Sequence, residues 1–270
     1  MSDNSKNNEM WRRILTGEMT EMTTMRRVFK LIPTNPRCKL CEAPFSGVGG
    51  RVLRLTAGKS PSRVNPHFCN ACYSFLTSKP GGTEIEMTLL FADIRGSTTM
   101  AQQLGTTEYS KLINRFYIAA TDVFSVSDAW IDRLVGDQVV ALFLPLMAGD
   151  HHARAAIGAA RGLLKAVGFG TPEGPWLPLG IGVHTGVTFM GTVGTEKGMQ
   201  DITVLGDTAN TTARLSSVAG AGEVLISEAA CAHSGIDASD CEHRSLQLKG
   251  RAEPIDVRVA TLDKLGALAG

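Results

Sequence analysis

Residues 85–98, IEMTLLFADIRGST, predict a buried strand that ends on an acidic residue. The apolar run up to Phe91 mixes β-branched and large side chains, which is typical of a strand with little solvent exposure. Asp93 follows where that run stops, and Gly96 with Ser97 predicts a turn into a helix whose N-cap is Ser97 or the next threonine. Asp93 therefore either caps this helix or supplies one carboxylate of a cation site, which needs a second carboxylate from elsewhere.

The sequence after this stretch alternates helical and extended patterns. Helices are predicted over 98–104, 106–126, 150–167 and 207–218, and strands over 85–91, 129–134, 138–144, 179–184, 187–193, 223–226 and 254–260. The pair 179–184 and 187–193 is predicted to form a hairpin about Thr185 and Gly186. Helices packed on a largely antiparallel sheet predict an α+β sandwich.

Bulk composition favours an ordinary soluble globular protein, with 43% hydrophobic and 20% charged residues in a chain of 270. The sequence has no apolar run long enough for a membrane span and a polar N-terminus, so we expect neither a transmembrane helix nor a signal peptide, and a cytoplasmic location. Residues 1–80 carry 13 Lys/Arg and 5 Asp/Glu, whereas residues 81–270 carry 14 and 21. This asymmetry predicts two modules of different character.

The division we predict is an N-terminal helical segment over 1–36, a four-cysteine module over 37–80 and a larger domain over 81–265. Residues 9–31 place apolar side chains at helical spacing, with Gly17 as a weak point. KPGG at 79–82 is predicted to be a compact linker.

The cysteine module contains two C-x-x-C pairs with the spacing of a metal-binding knuckle. The four predicted ligands are Cys38, Cys41, Cys69 and Cys72. We expect structural Zn²⁺, because a module this small has too little core to fold alone. An iron–sulfur cluster is the alternative, since four thiolates suit it equally. His67 is predicted to be structural, and Cys231 and Cys241 to be ordinary thiols.

Glycines at 47, 49 and 50, between the cysteine pairs, predict a tight loop. Arg51, Arg54, Lys59 and Arg63 cluster beside them. One interpretation is that these cations contact nucleic acid or anionic lipid. The other is that they only balance the acidic remainder of the chain. Aromatic residues for base stacking are scarce, which argues against single-strand binding.

A second carboxylate occurs in RLVGDQVVALF, where Asp137 lies in a tight turn between two apolar strands. It is either an ordinary turn residue or a partner of Asp93 in binding a hard divalent cation. In VLGDTANTTARL, Asn210 and Arg214 stand four apart on one helical face. An amide and a guanidinium on one face suit an anionic ligand, although a solvated face has the same pattern.

Four motifs together resemble the catalytic domains of class III adenylyl/guanylyl cyclases. They are FADIRGST, RLVGDQVVALF, IGVHTGVTFMGTVG and ITVLGDTANTTARL, in the order and spacing of that family. The resemblance covers about residues 84–262, including LKGRAEPIDV near the end. It implies a ferredoxin-like βαββαβ sandwich that works as a homodimer, with active sites at the interface.

The resemblance also implies roles for individual residues. Asp93 and Asp137 match the pair that holds two Mg²⁺ or Mn²⁺ ions, and the carbonyl of Ile94 matches a further ligand. Asn210 matches the residue that orients the ribose. Arg214 matches the one that stabilises charge on the α-phosphoryl group, and in the family these last two come from the opposite subunit.

Other matches concern the phosphates and the base. Lys249, Arg251 and Lys197 lie in segments that approach the distal phosphates in relatives. Arg133 and Thr203 occupy the base-selecting positions, the first of which usually carries Lys. A cation and a hydroxyl can satisfy adenine, whereas guanine-specific members carry Glu at the first position, so ATP is the expected substrate.

The resemblance therefore predicts an adenylate cyclase that makes cyclic AMP and pyrophosphate, with an N-terminal metal module that positions or regulates the dimer. Arg is longer and more forked than Lys, so a guanylyl or mixed specificity stays open. A non-catalytic regulator that binds nucleotide is the alternative from another class. Nucleic acid is not an expected partner, and the sequence names no upstream regulator.

Overall fold

The structure, a computed structural model, describes residues 3–32, 34–194 and 200–268. It divides into two compact units. The first unit comprises Met1–Ile85 and Phe189–Val204, and the second comprises Glu86–Thr188 and Leu205–Gly270. The division of the chain at residues 36 and 80 stays a prediction.

The first unit begins with four helices. They are α1 (Asp3–Leu15), α2 (Thr20–Lys30), α3 (Gly47–Ala57) and α4 (Asn70–Thr77). The helical pattern over 9–31 is thus two helices, because Gly17 adopts a left-handed φ of 78° after the end of α1. Glycine is the residue that accepts this conformation most readily at a helix C-terminus.

The tight loop predicted over residues 47–50 is wrong, because these residues begin α3. Two of the glycines allow close packing. A Cβ at Gly50 would lie 2.7 Å from the carbonyl carbon of Phe45, and one at Gly49 would lie 2.5 Å from Cγ2 of Ile32. The glycines therefore let neighbouring parts of the chain pack closely against α3. Glycine content alone does not distinguish this role from a turn.

The sheet runs β2-β3-β1-β4-β6-β8-β7, and β5 pairs with β4. Its strands are β1 (Gly82–Ile94), β2 (Trp130–Val135), β3 (Gln138–Phe143), β4 (Leu179–Gly194), β5 (Gln200–Leu205), β6 (Val224–Ser227), β7 (Glu242–Leu246) and β8 (Ile255–Ala260). The β1–β3, β2–β3, β6–β8 and β7–β8 pairs are antiparallel, whereas β4 and β6 are parallel.

The hairpin predicted about Thr185 and Gly186 is also wrong, since β4 is one continuous strand. Thr185 is buried, and its hydroxyl lies 2.7 Å from that of Thr88. A Cβ at Gly186 would lie 2.9 Å from Oγ1 of Thr208. Glycine at this position permits the close approach of a helix, and no turn is formed.

Helices of the second unit pack on this sheet. They are α5 (Ser97–Val126), α6 (Pro145–Ala148), α7 (His152–Ala166), α8 (Asp207–Val218), α9 (Glu228–Ser234) and α10 (Leu262–Leu268). The N-cap of α5 is Gly96, with a φ of 69°, instead of the predicted Ser97 or Thr98. Gly105 kinks α5, as the two predicted helices required.

A large apolar core lies between these helices and the sheet. Phe116 and Phe124 of α5 and Leu163 of α7 are fully buried, together with Leu90 and Ala141 from the strands. The α+β fold predicted from the sequence is confirmed. Across the described ranges, no helix combines the length and apolar character that spanning a bilayer requires.

Candidate active site and cysteine cluster

The two carboxylates singled out in the sequence lie side by side. Asp93 is the penultimate residue of β1, and it pairs in the β1–β3 register with Gln138. Asp137 occupies the turn just before β3. The backbone N–H of Ile94 donates to the carbonyl of Asp137 at 3.1 Å, which ties the strand end to the turn.

The electrostatics of this site favour a cation. Burial raises the pKa of Asp93, the positive charge of Arg95 opposes that rise and the negative charge of Asp137 adds to it, so the pKa is raised overall. Arg95 forms an ion pair with the Asp93 carboxylate and also donates to the carbonyl of Ser217. A guanidinium thus supplies the positive charge that two adjacent carboxylates attract.

The turn that carries Asp137 is held from α5. Gly136 adopts a left-handed φ of 61°, and the hydroxyl of Tyr117 donates to its carbonyl at 2.8 Å. Burial raises the pKa of Tyr117, and the charge of Asp137 raises it further, so this phenol stays protonated and able to donate. Sequence reasoning missed Tyr117, which is only partly buried and lies next to the apolar face of a predicted helix.

A pocket of about 660 Å³ adjoins Asp137. It is lined by Ser97, Thr98, Ala101, Gln102, Tyr109, Ser110, Ile113, Asn114, Tyr117, Gly136 and Asp137. Hydroxyl and amide groups dominate its polar lining, and Asp137 is its charged member among the described residues. The pocket therefore places hydroxyl and amide groups beside the Asp137 carboxylate.

Helix α8 presents the predicted nucleotide-binding side chains. Asn210 is exposed and Arg214 is partly buried. A Cβ at Gly250 would lie 3.3 Å from Nη2 of Arg214, so this guanidinium rests against the loop before β8. In the same loop Arg251 donates to Asp207 at 2.5 Å and Lys249 is exposed.

The structure brings together some of the predicted site residues and leaves others apart. Asp93, Ile94 and Asp137 form one group, and Arg214 lies with the Lys249–Arg251 loop in another. Within the described ranges, no hydrogen bond or ion pair joins either carboxylate to Asn210 or Arg214. Lys197 lies outside the described residues.

The two predicted base-selecting residues occupy different units. Arg133 of β2 belongs to the second unit, where its Nε donates to the carboxylate of Asp132 at 2.8 Å. The β2–β3 register shifts between Ile131 and Arg133, which indicates a bulge at Asp132. Thr203 of β5 belongs to the first unit and is buried.

The four predicted cysteine ligands converge in the first unit. Their sulfurs all lie within 4.8 Å of one another, and all four residues are buried. The Cys41 and Cys69 sulfurs are 3.8 Å apart. Four thiolates placed about 2.3 Å from one tetrahedral ion would be about 3.8 Å apart, so the cluster fits a single metal ion.

Donors surround the cysteine sulfurs. The backbone N–H of Cys69 donates to the sulfur of Cys38 at 3.2 Å, and that of Cys72 to the sulfur of Cys69 at 3.4 Å. The ammonium of Lys59 lies 3.7 Å from the sulfur of Cys41. Hydrogen bonds from the other three thiols lower the pKa of Cys69. Hydrogen bonds within the same group of sulfurs raise the pKa of Cys38 and of Cys72, so the four thiols share their protons unequally, and Cys69 is the one that most favours thiolate, the form that binds metal.

A buried ion pair supports the first cysteine loop. The guanidinium of Arg26, on α2, donates to the carbonyls of Lys39 and Leu40 and to the carboxylate of Glu42, each at 2.8–2.9 Å. Glu42 adopts a left-handed φ of 64°, which is unusual for a residue with a side chain. Sequence reasoning missed this pair, because 16 residues separate its members.

The remaining predictions for this unit concern His67 and the other thiols. His67 is not part of the four-sulfur group, and burial lowers its pKa to about 4. Cys231 and Cys241 are buried in the second unit and lie outside the cluster. The prediction that they are ordinary thiols agrees with their apolar surroundings.

Comparison with known proteins identifies a family. Residues 82–259 match the sequence model of the adenylate and guanylate cyclase catalytic domain, a match that leaves out the four clustered cysteines. An adenylate cyclase of Anabaena cylindrica is 30% identical over 141 residues, which are 49% of this chain and 27% of that protein. Guanylate cyclase 32E of Drosophila melanogaster is 32% identical over 147 residues, 53% of this chain and 12% of that protein.

The chain thus spans about a quarter or less of the length of these two curated relatives. Among solved structures, the guanylyl cyclase Cya2 is 26% identical with a TM-score of 0.58, covering 66% of this chain and 92% of that one. The adenylyl cyclase CyaB from P. aeruginosa is 26% identical with a TM-score of 0.56, covering 66% and 95%. Relatives of both base specificities therefore share the fold.

Proposed function

Because this chain belongs to the adenylate and guanylate cyclase catalytic domain family, we propose that it converts ATP to 3′,5′-cyclic AMP and pyrophosphate at the interface of a homodimer. The observation that carries the proposal is the adjacency of Asp93 and Asp137. Two carboxylates at neighbouring strand ends, one already paired with a guanidinium, form an oxygen-donor site of the kind that Mg²⁺ and Mn²⁺ prefer.

Asp93, Asp137 and the carbonyl of Ile94 would hold the divalent ions, Mg²⁺ or Mn²⁺, two per site. When bound, such ions lower the pKa of the ribose 3′-hydroxyl and neutralise charge on the triphosphate. Tyr117 keeps the Asp137 turn in place through its bond to Gly136. Arg95 balances the charge of Asp93, and a bound divalent ion would take over that role.

Asn210 and Arg214 of the opposite subunit would complete each site, with Asn210 orienting the ribose and Arg214 stabilising charge on the α-phosphoryl group. Support comes from their accessibility, since Asn210 is exposed and Arg214 is partly so. Lys249 and Arg251 extend the same positively charged surface towards the distal phosphates. Arg251 is shared with Asp207, so Lys249 is the more available of the two.

For the base, we favour adenine. Arg133 provides a donor for an acceptor atom on adenine, and the hydroxyl of Thr203 can accept from the adenine amino group. Guanine presents a donor at the corresponding ring nitrogen, which a guanidinium cannot satisfy. A guanylyl or mixed specificity is the second candidate, favoured by the pairing of Arg133 with Asp132 and by the guanylyl cyclases among the relatives.

The cysteine cluster is proposed to hold one structural Zn²⁺. A single ion suits sulfurs within 4.8 Å of one another, whereas an iron–sulfur cluster distributes its thiolates over two or four irons and needs wider spacing. Reduced thiolates and a nucleoside triphosphate substrate both fit a cytoplasmic location, which is part of the proposal.

The test is a product assay on purified, zinc-loaded protein with ATP or GTP and with Mg²⁺ or Mn²⁺. Asp137→Ala and Arg214→Ala should each abolish cyclic AMP formation, whereas Asp263→Ala, at an exposed acidic residue of α10, should leave it unchanged. An equimolar mixture of the two inactive variants should recover about a quarter of the wild-type activity, because half of the dimers would then carry one intact composite site.

The outcomes separate the candidates. Activity that vanishes in both variants and returns in the mixture supports a composite site in a homodimer. Cyclic GMP from the wild-type protein would mean that the base assignment is wrong. No cyclic product from either nucleotide, in a folded and zinc-loaded dimer, would identify a non-catalytic regulator.

A further inference from the structure

Helix α3, between the two pairs of clustered cysteines, exposes three of its four large apolar side chains. Val48, Val52 and Leu55 are 77%, 50% and 86% exposed. Residues spaced by four and then three positions share one face of a helix, so these three form a continuous apolar stripe. A surface helix of a folded domain ordinarily turns such a stripe towards the core.

The face of α3 that packs inwards carries two glycines and Leu53, which is partly buried. Gly49 lies against the side chain of Ile32, and Gly50 lies against the backbone of Phe45. The helix therefore buries little side-chain surface beyond part of Leu53, and it leaves both valines and Leu55 in water. This arrangement is the reverse of what folding alone would favour, and it indicates that the stripe serves another surface.

The charge around the stripe is positive. Arg51 and Arg54 are exposed on the same helix, and Arg63 is exposed beside Val64, which is itself 71% exposed. No Asp or Glu occurs from residue 43 to residue 83, whereas Arg and Lys recur through that window. This surface combines exposed aliphatic side chains with cations that no nearby carboxylate in the sequence balances. Its natural complement is a binding partner with an apolar interior and an anionic surface.

We propose that the outer face of α3 docks reversibly on a lipid bilayer that contains anionic lipids. The stripe would enter the boundary between headgroups and acyl chains, while Arg51 and Arg54 contact lipid phosphates. This placement requires no groove and suits a convex single helix. Helix α3 has 11 residues, which is too short to span a bilayer, so the attachment is peripheral. Because it also depends on exposed arginines, it is sensitive to salt.

Two other occupants fit the surface less well. A second copy of the chain would bring two acid-free, positively charged segments together. A nucleic acid would match the arginines, but its phosphate backbone offers nothing apolar to cover Val48, Val52 and Leu55. The bilayer satisfies both the charges and the apolar stripe.

The experiment is co-sedimentation of the full-length, zinc-loaded protein with vesicles of phosphatidylcholine, with and without phosphatidylglycerol. Wild-type protein should sediment with the anionic vesicles only, and added salt should release it. Leu55→Ser should lower the partition coefficient about tenfold, since part of an aliphatic side chain no longer enters the bilayer. Arg51→Gln combined with Arg54→Gln should lower it to a similar degree and reduce the salt dependence.

Val126→Ser is the matched control, because Val126 is 80% exposed at the end of α5 and lies outside the acid-free window. It should partition as the wild type does. Zinc content and far-UV circular dichroism establish that each variant is folded. The proposal does not depend on cyclase activity, so its failure and that of the proposed function are distinguishable.

Four results would overturn the proposal. Wild-type protein that stays in the supernatant at high concentrations of anionic vesicles would do so, as would equal partitioning of Leu55→Ser and wild type. Self-association that is lost in Leu55→Ser, measured by sedimentation velocity without lipid, would assign the stripe to a second copy. Tight binding to duplex DNA without vesicle binding would assign it to nucleic acid.

Discussion

The cysteine cluster and the strand end that carries Asp93 both assemble polar side chains from distant parts of the chain, but by different means. In the second unit, Phe116, Phe124 and Leu163 fill a core beneath the sheet, so the positions of Asp93 and Asp137 follow from apolar burial. In the cysteine cluster, the buried centre consists of four thiols within 4.8 Å of one another. The contrast teaches that one site is shaped by its scaffold, and the other is proposed to be shaped by its ligand.

The largest expected effect tests the dependence of the cysteine cluster on metal. Removing the ion with a chelator, or substituting Cys72→Ser, should unfold the segment from Cys38 to Cys72, because a structural zinc site contributes roughly 10 kcal/mol or more to folding. Hydrogen exchange of that segment and zinc stoichiometry measure the change. Cys231→Ala, at a buried thiol outside the cluster, should keep both. Unchanged protection after chelation would contradict a ligand-shaped site.

The sheet should show the opposite dependence. Phe116→Ala should lower the free energy of unfolding of the second unit by about 3–5 kcal/mol, because it leaves a cavity in a closely packed core. Urea denaturation with and without chelator measures this loss, which we expect to be the same in both. Ile118→Ala, at an exposed position of the same helix, should change it by less than about 0.5 kcal/mol. A loss that depends on the chelator would break the comparison.

A buried histidine sharpens the comparison by adding pH dependence to the sheet. His152 is buried, with Nδ1 2.8 Å from the hydroxyl of Thr88 and its ring stacked on that of His233. Burial and the neighbouring His233 together lower its pKa to about 4, and Asp150 opposes the shift. In the folded state, His152 therefore stays neutral, whereas in the unfolded chain its imidazole takes up a proton below about pH 6.5. The free energy of unfolding is thus highest above that pH and decreases as the pH falls towards 4.

We accordingly expect His152→Asn, which keeps a hydrogen-bonding group near Thr88, to lose less stability than wild type between pH 7 and pH 5. The difference should be about 2 kcal/mol for one histidine with this shift. Urea unfolding at the two pH values measures it. Parallel losses in the two proteins would show that His152 is not the group that titrates.

The smallest effect concerns Tyr117, which holds the Asp137 turn. Tyr117→Phe removes one hydrogen bond, worth about 1 kcal/mol, and should raise the Mn²⁺ concentration for half-maximal activity a few-fold. Titration of the activity with Mn²⁺ at saturating nucleotide checks this expectation. Maximal activity should fall less than metal affinity, because Tyr117 acts through the turn that carries Asp137. An unchanged Mn²⁺ dependence would show that the apolar core alone positions Asp137.

Much of the candidate site could be predicted from the sequence because its signals are local. A strand that ends on Asp93, a turn at Gly136 and two C-x-x-C pairs each lie within a few residues, and their chemistry narrows their roles. The α+β class followed from the same short-range periodicity. Arg26 and Tyr117 could not be predicted as partners of Glu42 and Gly136, since each pair is joined only by packing between elements.

The sequence by itself predicted most of the strands and helices of the second unit, and it named the residues that we propose to carry chemistry. Tertiary structure decided what the glycines do: Gly186 admits Thr208 within a continuous strand, and Gly49 and Gly50 let α3 approach its neighbours. It also decided that Val48, Val52 and Leu55 point outwards. The physical reason is that periodicity records which residues share a face, whereas the side of the helix that is buried depends on how closely another element can pack.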